Sequence, residues 1–345
     1  MIPIQNIYYM LSYAFQVLNE QGYKNIATEQ FNNTGELMAA ILEKGIAIQL
    51  KRGLGKEYIL QTEALSSLRG KIYIAESIKT QSMLRKQLIC TYDEFSVNSI
   101  MNRIIKSTVE LLLRSNISKQ RKKNLRKLMV YFSEVDFIDL YTVNWNVQYN
   151  RNNQSYRMLI SICYLVVKGL LQTQSNGHTK LMDFLDEQRM CRLYEKFVLE
   201  YYRREFKNQI TANASQIPWQ LDNEENSMLP VMQSDIMLQS GEKILIVDAK
   251  YYEHSTQVQF DKHTLHSGNL YQIFTYVKNK DYELREKDHT VSGMLLYAKT
   301  DEEIYPNNVY QMSGNQITVR TLDLNLPFDE IAGQLNTIAK THFNL

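Results

Sequence analysis

The chain has 345 residues, longer than the roughly 250 at which a single hydrophobic core stops growing, so two domains are expected. With 44% hydrophobic and 22% charged residues, 5 prolines and 13 glycines, the composition is that of a soluble globular protein and excludes a disordered or repeat-built chain. A formal net charge of +2 excludes a surface that is basic throughout, so any nucleic-acid contact must be local.

Residues 4–18 read as an amphipathic helix, with Ile4, Ile7, Tyr8, Leu11, Phe15 and Leu18 on one face. A second helix is expected over 36–49, with Leu37, Ile41 and Ile48 toward the core. Between 50 and 75, Gly53, Gly55 and Gly70 punctuate short β-prone runs such as Tyr58–Leu60 and Ile72–Ile74, which predicts small strands or hairpins. The helical period returns from Asn98 to Ser115, where Ile100, Ile104, Ile105, Leu111 and Leu112 form the apolar side. Lys119, Arg121, Lys122, Lys123, Arg126 and Lys127 then make the densest charge run. It reads as a solvated helix face, a DNA phosphate track or a contact with an acidic partner.

The polar stretch Tyr149–Gln154 marks a domain boundary, placed within about 15 residues. It divides an α+β N-terminal domain of helices and small β hairpins, 1–155, from an α/β domain, 156–345. Helices are expected at 157–171 and 188–207, separated by a polar break at Gln172–His178; Leu193, Phe197, Val198 and Tyr201 form the apolar side of the second. The last hundred or so residues alternate strand and helix patterns. The N-terminus lacks a basic segment before an apolar core, which argues against a secretory signal. The longest apolar stretch, Met158–Val167, is interrupted by Ser161 and is about half the length of a membrane span. Cys90, Cys163 and Cys191 stand far apart without a CxxC pair, and the six histidines form no HExxH pattern. Neither zinc knuckle nor disulfide framework is indicated, and a reducing cytoplasm fits.

The most informative segment is a candidate hairpin. Residues 231–239 and 242–250 are β-prone, and Ser240-Gly241 between them predicts a two-residue turn. Gln239 then faces Glu242, and Asp235 faces Ile246. Asp248 becomes a diagonal neighbour of Asp235, and Asp235, Asp248 and Lys250 all point to one side. The separation of the two aspartates would be roughly 7–8 Å between backbones, close enough to share a divalent cation. A loop one residue longer, without a bulge, would break this alignment.

The run Ile244–Val247 is typical of a strand covered on both faces, and charges directly after it are costly unless paired or metal-bound. One reading is a structural Asp–Lys salt bridge at a strand end. The other is phosphodiester hydrolysis, with Asp235, Asp248 and the backbone carbonyl of Ala249 holding Mg²⁺ (or Mn²⁺) through hard oxygen ligands. The metal would polarise the phosphate and acidify a water. Lys250 would orient or activate that water and offset charge in the transition state.

Asp235…Asp248-Ala249-Lys250 resembles the motif of the PD-(D/E)XK nucleases, set as in that class between a preceding and a following helix. The resemblance implies a central mixed sheet flanked by helices. The following helix, Asn269–Tyr276, carries Gln272 and Tyr276 four residues apart and so on one face. This is similar to the QxxxY motif of RecB-like nucleases, whose residues lie beside the metal site and the DNA. The structural alternative puts Tyr276 in the core and Gln272 at the surface. The class also implies a glutamate on the preceding helix as a further ligand, with Glu195 as candidate; a solvated Glu195 is the alternative, and Glu200 and Glu205 share its helix.

The likeness extends over nearly the whole chain. Ile2-Pro-Ile-Gln-Asn-Ile-Tyr-Tyr-Met-Leu-Ser-Tyr-Ala14, Leu68-Arg-Gly70-Lys-Ile72, Tyr92-Asp-Glu-Phe95 with Asn98, and Asn102-Arg-Ile-Ile-Lys106 resemble, in the same order, the McrC family. Its members are the endonuclease subunits of McrBC modification-dependent restriction systems. The resemblance implies an McrB-like hexameric AAA+ GTPase partner that recognises modified cytosine in double-stranded DNA. It also implies that the N-terminal domain engages the pore of that ring and stimulates GTP hydrolysis. Gly53-Leu-Gly55-Lys56-Glu lacks the spacing and hydroxyl residue of a phosphate loop, so no nucleotide is expected on this chain itself. The glycine-bearing strands at 50–75 are candidates for a partner-binding projection or are ordinary hairpins. The expected function is a GTP-dependent, methylcytosine-directed DNA endonuclease. The alternatives are a non-catalytic adaptor of a AAA+ ring and a stand-alone RecB-like repair nuclease.

Overall fold

The computed structural model describes residues 2–15, 18, 23, 26, 29, 31–151, 153–175, 187–223, 228–252, 257–259, 262–299 and 305–345. The chain forms two compact units, Phe31–Phe184 and a second made of Met1–Gln30 with Leu185–Leu345. The first helix, α1, covers Ile4–Ala14 and stops short of the expected residue 18.

The unit Phe31–Phe184 contains α2 (Thr34–Arg52), β1 (Glu57–Leu65), β2 (Lys71–Ile72), α3 (Ile74–Lys79), β3 (Leu88–Ser96), α4 (Ile100–Arg114), α5 (Lys119–Met129) and α6 (Tyr156–Ser175). Side-chain caps start the helices where the sequence carries them: Asn33 Oδ1 accepts from the Glu36 amide at 2.9 Å, and Ser99 Oγ from the Asn102 amide at 3.3 Å. Of the small strands or hairpins expected over 50–75, the strands form but do not close on each other as a local hairpin. β1 pairs antiparallel with β3, from Glu57↔Ser96 to Leu65↔Leu88, and β2 adds to the other edge of β3. Ile74 opens a helix instead of ending a strand. Three-residue apolar runs carry no period that separates strand from helix, so pairing partners decide. Gly70 makes the closure sterically feasible: its φ is +64°, and a Cβ there would lie 2.3 Å from the Thr91 carbonyl oxygen.

Asn102 ties this unit together. Its Nδ2 donates to the carbonyls of Gly55 (2.9 Å) and Val97 (2.8 Å), and its Oδ1 accepts from Tyr156 Oη at 2.7 Å. Tyr156 Oη in turn accepts from the Gly55 amide at 2.7 Å. Asn98 and Asp136 exchange two hydrogen bonds, and Lys106 Nζ donates to the carbonyls of Phe132 and Val135. Three residues of the McrC-like signatures, Asn98, Asn102 and Lys106, are thus structural polar nodes.

The second unit continues with α7 (Glu187–Glu205), β4 (Thr211–Asn213), β5 (Gln216–Ile217), β6 (Met232–Gln233), β7 (Ile236–Ser240), β8 (Lys243–Lys250), β9 (Gln257–Gln259) and β10 (Lys262–Thr264). It ends with α8 (Ser267–Glu283), β11 (Thr290–Ala298), β12 (Asn308–Met312), β13 (Asn315–Leu322) and α9 (Phe328–Phe343). Six strands form a mixed sheet in the order β12-β13-β11-β8-β7-β4, with β8, β11 and β13 parallel. The parallel β8–β11 step requires a crossover, which α8 supplies. On that face Ile244, Ile246, Leu295, Ile317 and Val319 pack with Ile273 and Val277 of α8. Gly293 lets α8 approach, since a Cβ there would lie 2.8 Å from Val277 Cγ2. Leu245, Val247 and Ala249 point the other way and are also buried, so a second helical layer that includes α7 covers β8. A mixed sheet flanked by helices, preceded by a largely helical N-terminal region, is the expected fold class.

The compact units do not follow a division at residue 155. Helix α1 belongs with the sheet: Asn6 Nδ2 donates to the carbonyls of both Leu324 and Leu326 at 2.8 Å, and Tyr9 stacks on Phe328 at 4.5 Å. Helix α6 packs on α2 and α4 in the other unit. Both attachments are long-range, and no local composition shift marks them. Asn6→Ala would leave two carbonyls without a donor. We expect a loss of about 2–4 kcal/mol, measured by urea unfolding with the midpoint as readout; an unchanged midpoint would show that these bonds do not hold α1 in place.

Candidate active site

The site forms where β7 and β8 lie side by side. Ser240 pairs with Lys243 and Ile236 with Val247, so the turn is Gly241-Glu242, one residue later than expected. Gly241 takes the positive φ, +58°. The slip moves each partner by two residues, which preserves the face because side chains alternate with period two. Asp235 thereby comes opposite Asp248 directly instead of diagonally. It sits at a bend just before β7, and its Oδ2 accepts from the Ala249 amide at 3.2 Å.

Asp248 is 1% exposed. Lys250 Nζ lies 2.9 Å from each Asp248 oxygen, so the buried carboxyl faces the ammonium with both of its oxygens. Burial pushes the Asp248 carboxyl up from its ordinary range, Lys250 pulls it back, and the adjacent Asp235 carboxylate adds to the rise. Burial acts to lower the Lys250 ammonium, but Asp248 outweighs it and holds the lysine above its usual range. Two carboxyl groups thus face one ammonium in a desolvated place.

The helix α8 completes the site. Lys250 Nζ donates to Gln272 Oε1 at 3.3 Å, and Gln272 Nε2 donates to Tyr276 Oη at 2.9 Å. Gln272 is therefore tied to the lysine, and Tyr276, although buried, presents its hydroxyl to the same chain of bonds. On α7, Glu195 is half-buried and accepts from Cys191 Sγ at 3.1 Å. Burial, then the Asp235 carboxylate, push its carboxyl up, so Glu195 does not lie on a fully solvated face. Glu200 and Glu205 of that helix are engaged elsewhere, Glu200 with Arg203 at 2.7 Å and Glu205 with Tyr13 at 2.9 Å. The Ala249 carbonyl is approached by Cys191 Sγ at 3.9 Å. The run of cations at 119–127 lies on α5, in the other unit.

Four contributors were not legible in the sequence. Tyr297 sits beside Lys250 in the parallel β8–β11 register. Asn269 donates to Tyr297 Oη at 2.9 Å and accepts from Tyr252 Oη at 3.2 Å, forming a polar layer next to the lysine. Cys191 is the fourth. The only local signal was Asn269 itself, a polar residue four before Ile273 on the buried side of α8.

Among the described residues, no three His, Cys, Asp or Glu side chains form a ready metal cluster. An ion here would be held by the two aspartates and backbone oxygen, with substrate oxygens completing its shell. The carboxylate oxygens of Asp235 and Asp248 are the hard donors that a divalent cation such as Mg²⁺ takes.

The model of the family described as "McrBC 5-methylcytosine restriction system component" matches residues 5–298. The chain belongs to this family. A curated relative from Escherichia coli (strain K12), "Type IV methyl-directed restriction enzyme EcoKMcrBC", is 30% identical over 330 residues, covering 94% of this chain and 93% of the relative. Two solved structures from Thermococcus gammatolerans are similar to it. A half-complex of McrB AAA+ hexamers with bound McrC is 18% identical, with TM-score 0.48, over 97% of this chain and 76% of that one. An McrBC complex is 20% identical, with TM-score 0.40, over 59% of each. The family resemblance read from the signatures is borne out, and the McrBC-family chain carries its Asp–Asp–Lys cluster inside the matched range.

Proposed function

We propose that the chain is the DNA endonuclease subunit of a GTP-dependent, methylcytosine-directed restriction complex, working in a reducing cytoplasm with an McrB-like AAA+ ring that it stimulates. The observation that carries the nuclease reading is the pairing of two carboxyl groups, Asp235 and the buried Asp248, on one ammonium that is linked in turn to Gln272 and Tyr276. A structural salt bridge needs one aspartate and one lysine; the second carboxylate makes the cluster costlier without a cation. The partner reading is supported by family membership and by the 30% identical relative named as an McrBC restriction enzyme.

Asp235, Asp248 and the Ala249 carbonyl would hold Mg²⁺ or Mn²⁺, with Glu195 on α7 as a candidate further ligand. Such an ion supplies Lewis acidity toward the scissile phosphate and lowers the pKa of a water bound to it. Lys250, held between Asp248 and Gln272, orients the attacking water and offsets the charge that builds on the phosphate. Gln272 fixes the lysine's direction, and Tyr276 fixes Gln272.

The test combines the purified chain, its AAA+ partner, GTP, Mg²⁺ and methylated or unmethylated duplex DNA. Cleavage should need every component, and Asp248→Ala should abolish it while GTPase stimulation stays intact. Stimulation without any cleavage by the unaltered chain would instead show an adaptor. Cleavage of unmethylated DNA by the chain alone would show a stand-alone nuclease.

Gln272→Ala should slow cleavage by about 10–100-fold, the usual scale for losing a residue that orients a reacting group. Tyr276→Phe should cost less, because Gln272 keeps its bond to Lys250. Single-turnover rates at saturating Mg²⁺ decide this; equal rates for Gln272→Ala and the unaltered chain would remove Gln272 from the site.

A further inference from the structure

We infer that the outer face of α5 is a phosphate track for duplex DNA, separate from the nuclease site. The inference rests on the proposed function only for the identity of the polymer. Lys119, Lys122, Lys123, Arg126 and Lys127 recur at i, i+3, i+4, i+7 and i+8, so they form one stripe along the helix. The stripe is about 12 Å long at 1.5 Å per residue. A DNA strand carries a phosphate about every 3.4 Å along the duplex axis, so the stripe matches three or four of them.

The fold does not need these charges. Of the six cations on α5, Arg121 is the one that the fold engages: it reaches Glu43 at 2.8 Å and Glu36 at 3.7 Å. Asn124 Nδ2 also donates to Glu43, at 2.9 Å, and Leu125 is fully buried. This inner side clamps α5 on α2 and presents the outer side rigidly. Among the described residues, none of the five outer cations has an ion-pair partner, and Lys119, Lys123, Arg126 and Lys127 are exposed. The helix has no acidic residue in its first turn and places Lys119 there, against the helix dipole. Like charges at these spacings repel. The helix therefore holds a positive surplus that opposes its own stability, in a chain of net charge only +2.

The composition of the stripe favours a polyanion backbone over an acidic protein. Four of the five residues are lysines and none is apolar, whereas the centres of protein interfaces are depleted of lysine and enriched in apolar and aromatic groups. One turn beyond Lys127 stands the exposed Tyr131, whose hydroxyl can donate to a further phosphate; its neighbour Val130 is the one exposed apolar residue there.

The experiment measures binding of the full chain to an unmethylated 30-base-pair duplex by fluorescence anisotropy, in chelator, across a salt series. Chelator prevents cleavage, so failure here is distinguishable from failure of the nuclease reading. Replacing Lys122, Lys123 and Arg126 together by glutamine, a good helix former, should weaken binding by roughly 10–100-fold and reduce the magnitude of the log–log salt slope by about 2–3, at about 0.9 per lost phosphate contact. Exchanging Lys122 and Lys123 for arginine should restore neither loss nor gain, leaving affinity as in the unaltered chain. A second variant, Lys119→Gln with Lys127→Gln at the ends of the stripe, should reduce the slope by about 1–2. Unchanged affinity and slope in both glutamine variants would overturn the inference. So would unchanged DNA binding accompanied by weaker association with the AAA+ partner, which would assign the stripe to an acidic protein surface.

Discussion

Asp248→Asn is expected to lower DNA cleavage by about a thousandfold or more and, in chelator, to make the protein more stable. The first effect follows from removing a charged oxygen from the pair that would hold the cation, on the scale of losing a principal electrostatic element of a site. The second follows from burial. Asp248 is desolvated beside Asp235, and its carboxyl is pushed up in the folded state. A carboxyl raised on folding means that the native state binds more protons than the unfolded chain, starting from the ordinary carboxylate range. Stability contributed by the protonated form is therefore present at low pH and lost as pH rises toward the folded value. The raised Lys250 acts in the opposite sense only near and above the ordinary lysine range, outside this window.

Asparagine removes the titration while keeping an acceptor for Lys250. We expect a gain on the order of 0.5–2 kcal/mol at neutral pH, typical of relieving a functional site. Thermal unfolding in chelator between pH 5 and pH 8 should show the melting temperature of the unaltered chain falling more steeply than that of Asp248→Asn. Parallel curves would mean that Asp248 carries no such penalty, and cleavage at the normal rate would remove it from the chemistry.

Lys250→Ala should have the opposite effect on stability and the same effect on cleavage. It leaves Asp248 buried with no cation and Asp235 opposite. Breaking a buried ion pair by removing one partner costs about 3–5 kcal/mol. Because an ion bound only by the native state adds stability by mass action, millimolar Mg²⁺ should recover part of that loss. Urea unfolding with chelator and with Mg²⁺ separates the two terms. Recovery by Mg²⁺ in Lys250→Ala, absent in a double variant that also carries Asp248→Asn, would tie the ion to this carboxylate. A chelator stability within about 1 kcal/mol of the unaltered chain, the scale of an exposed ion pair, would show that the pair is a surface interaction of little weight.

These expectations depend on a register that the sequence located one turn residue away from its true place. The shared face of Asp235, Asp248 and Lys250 was nonetheless legible, because an error of two residues in the partner leaves the strand faces unchanged. Gln272 and Tyr276 were legible for the same kind of reason, since four residues along a helix return to one side. Glu195 was not separable from Glu200 and Glu205, because which acid of α7 faces the sheet end depends on how α7 lies across β7 and β8.

What the sequence by itself determined is what repeats along the chain with the backbone's own period. The spans of α2, α4 and α7, the place of α8 after the hairpin, the covered strand β8 and the common face of the three charged residues follow from periods of 3.6 and 2. The tertiary structure alone decided the rest. It paired the strands of 50–75, β1 and β2, each with β3. It bound Asn6 to the carbonyls of Leu324 and Leu326, and so joined α1 to the sheet more than 300 residues away. It set Tyr297 beside Lys250 and brought Asn269 against them. Each of these is a single hydrogen bond or ladder between distant segments. Such contacts have no period, and they form only once the loops between their partners have closed.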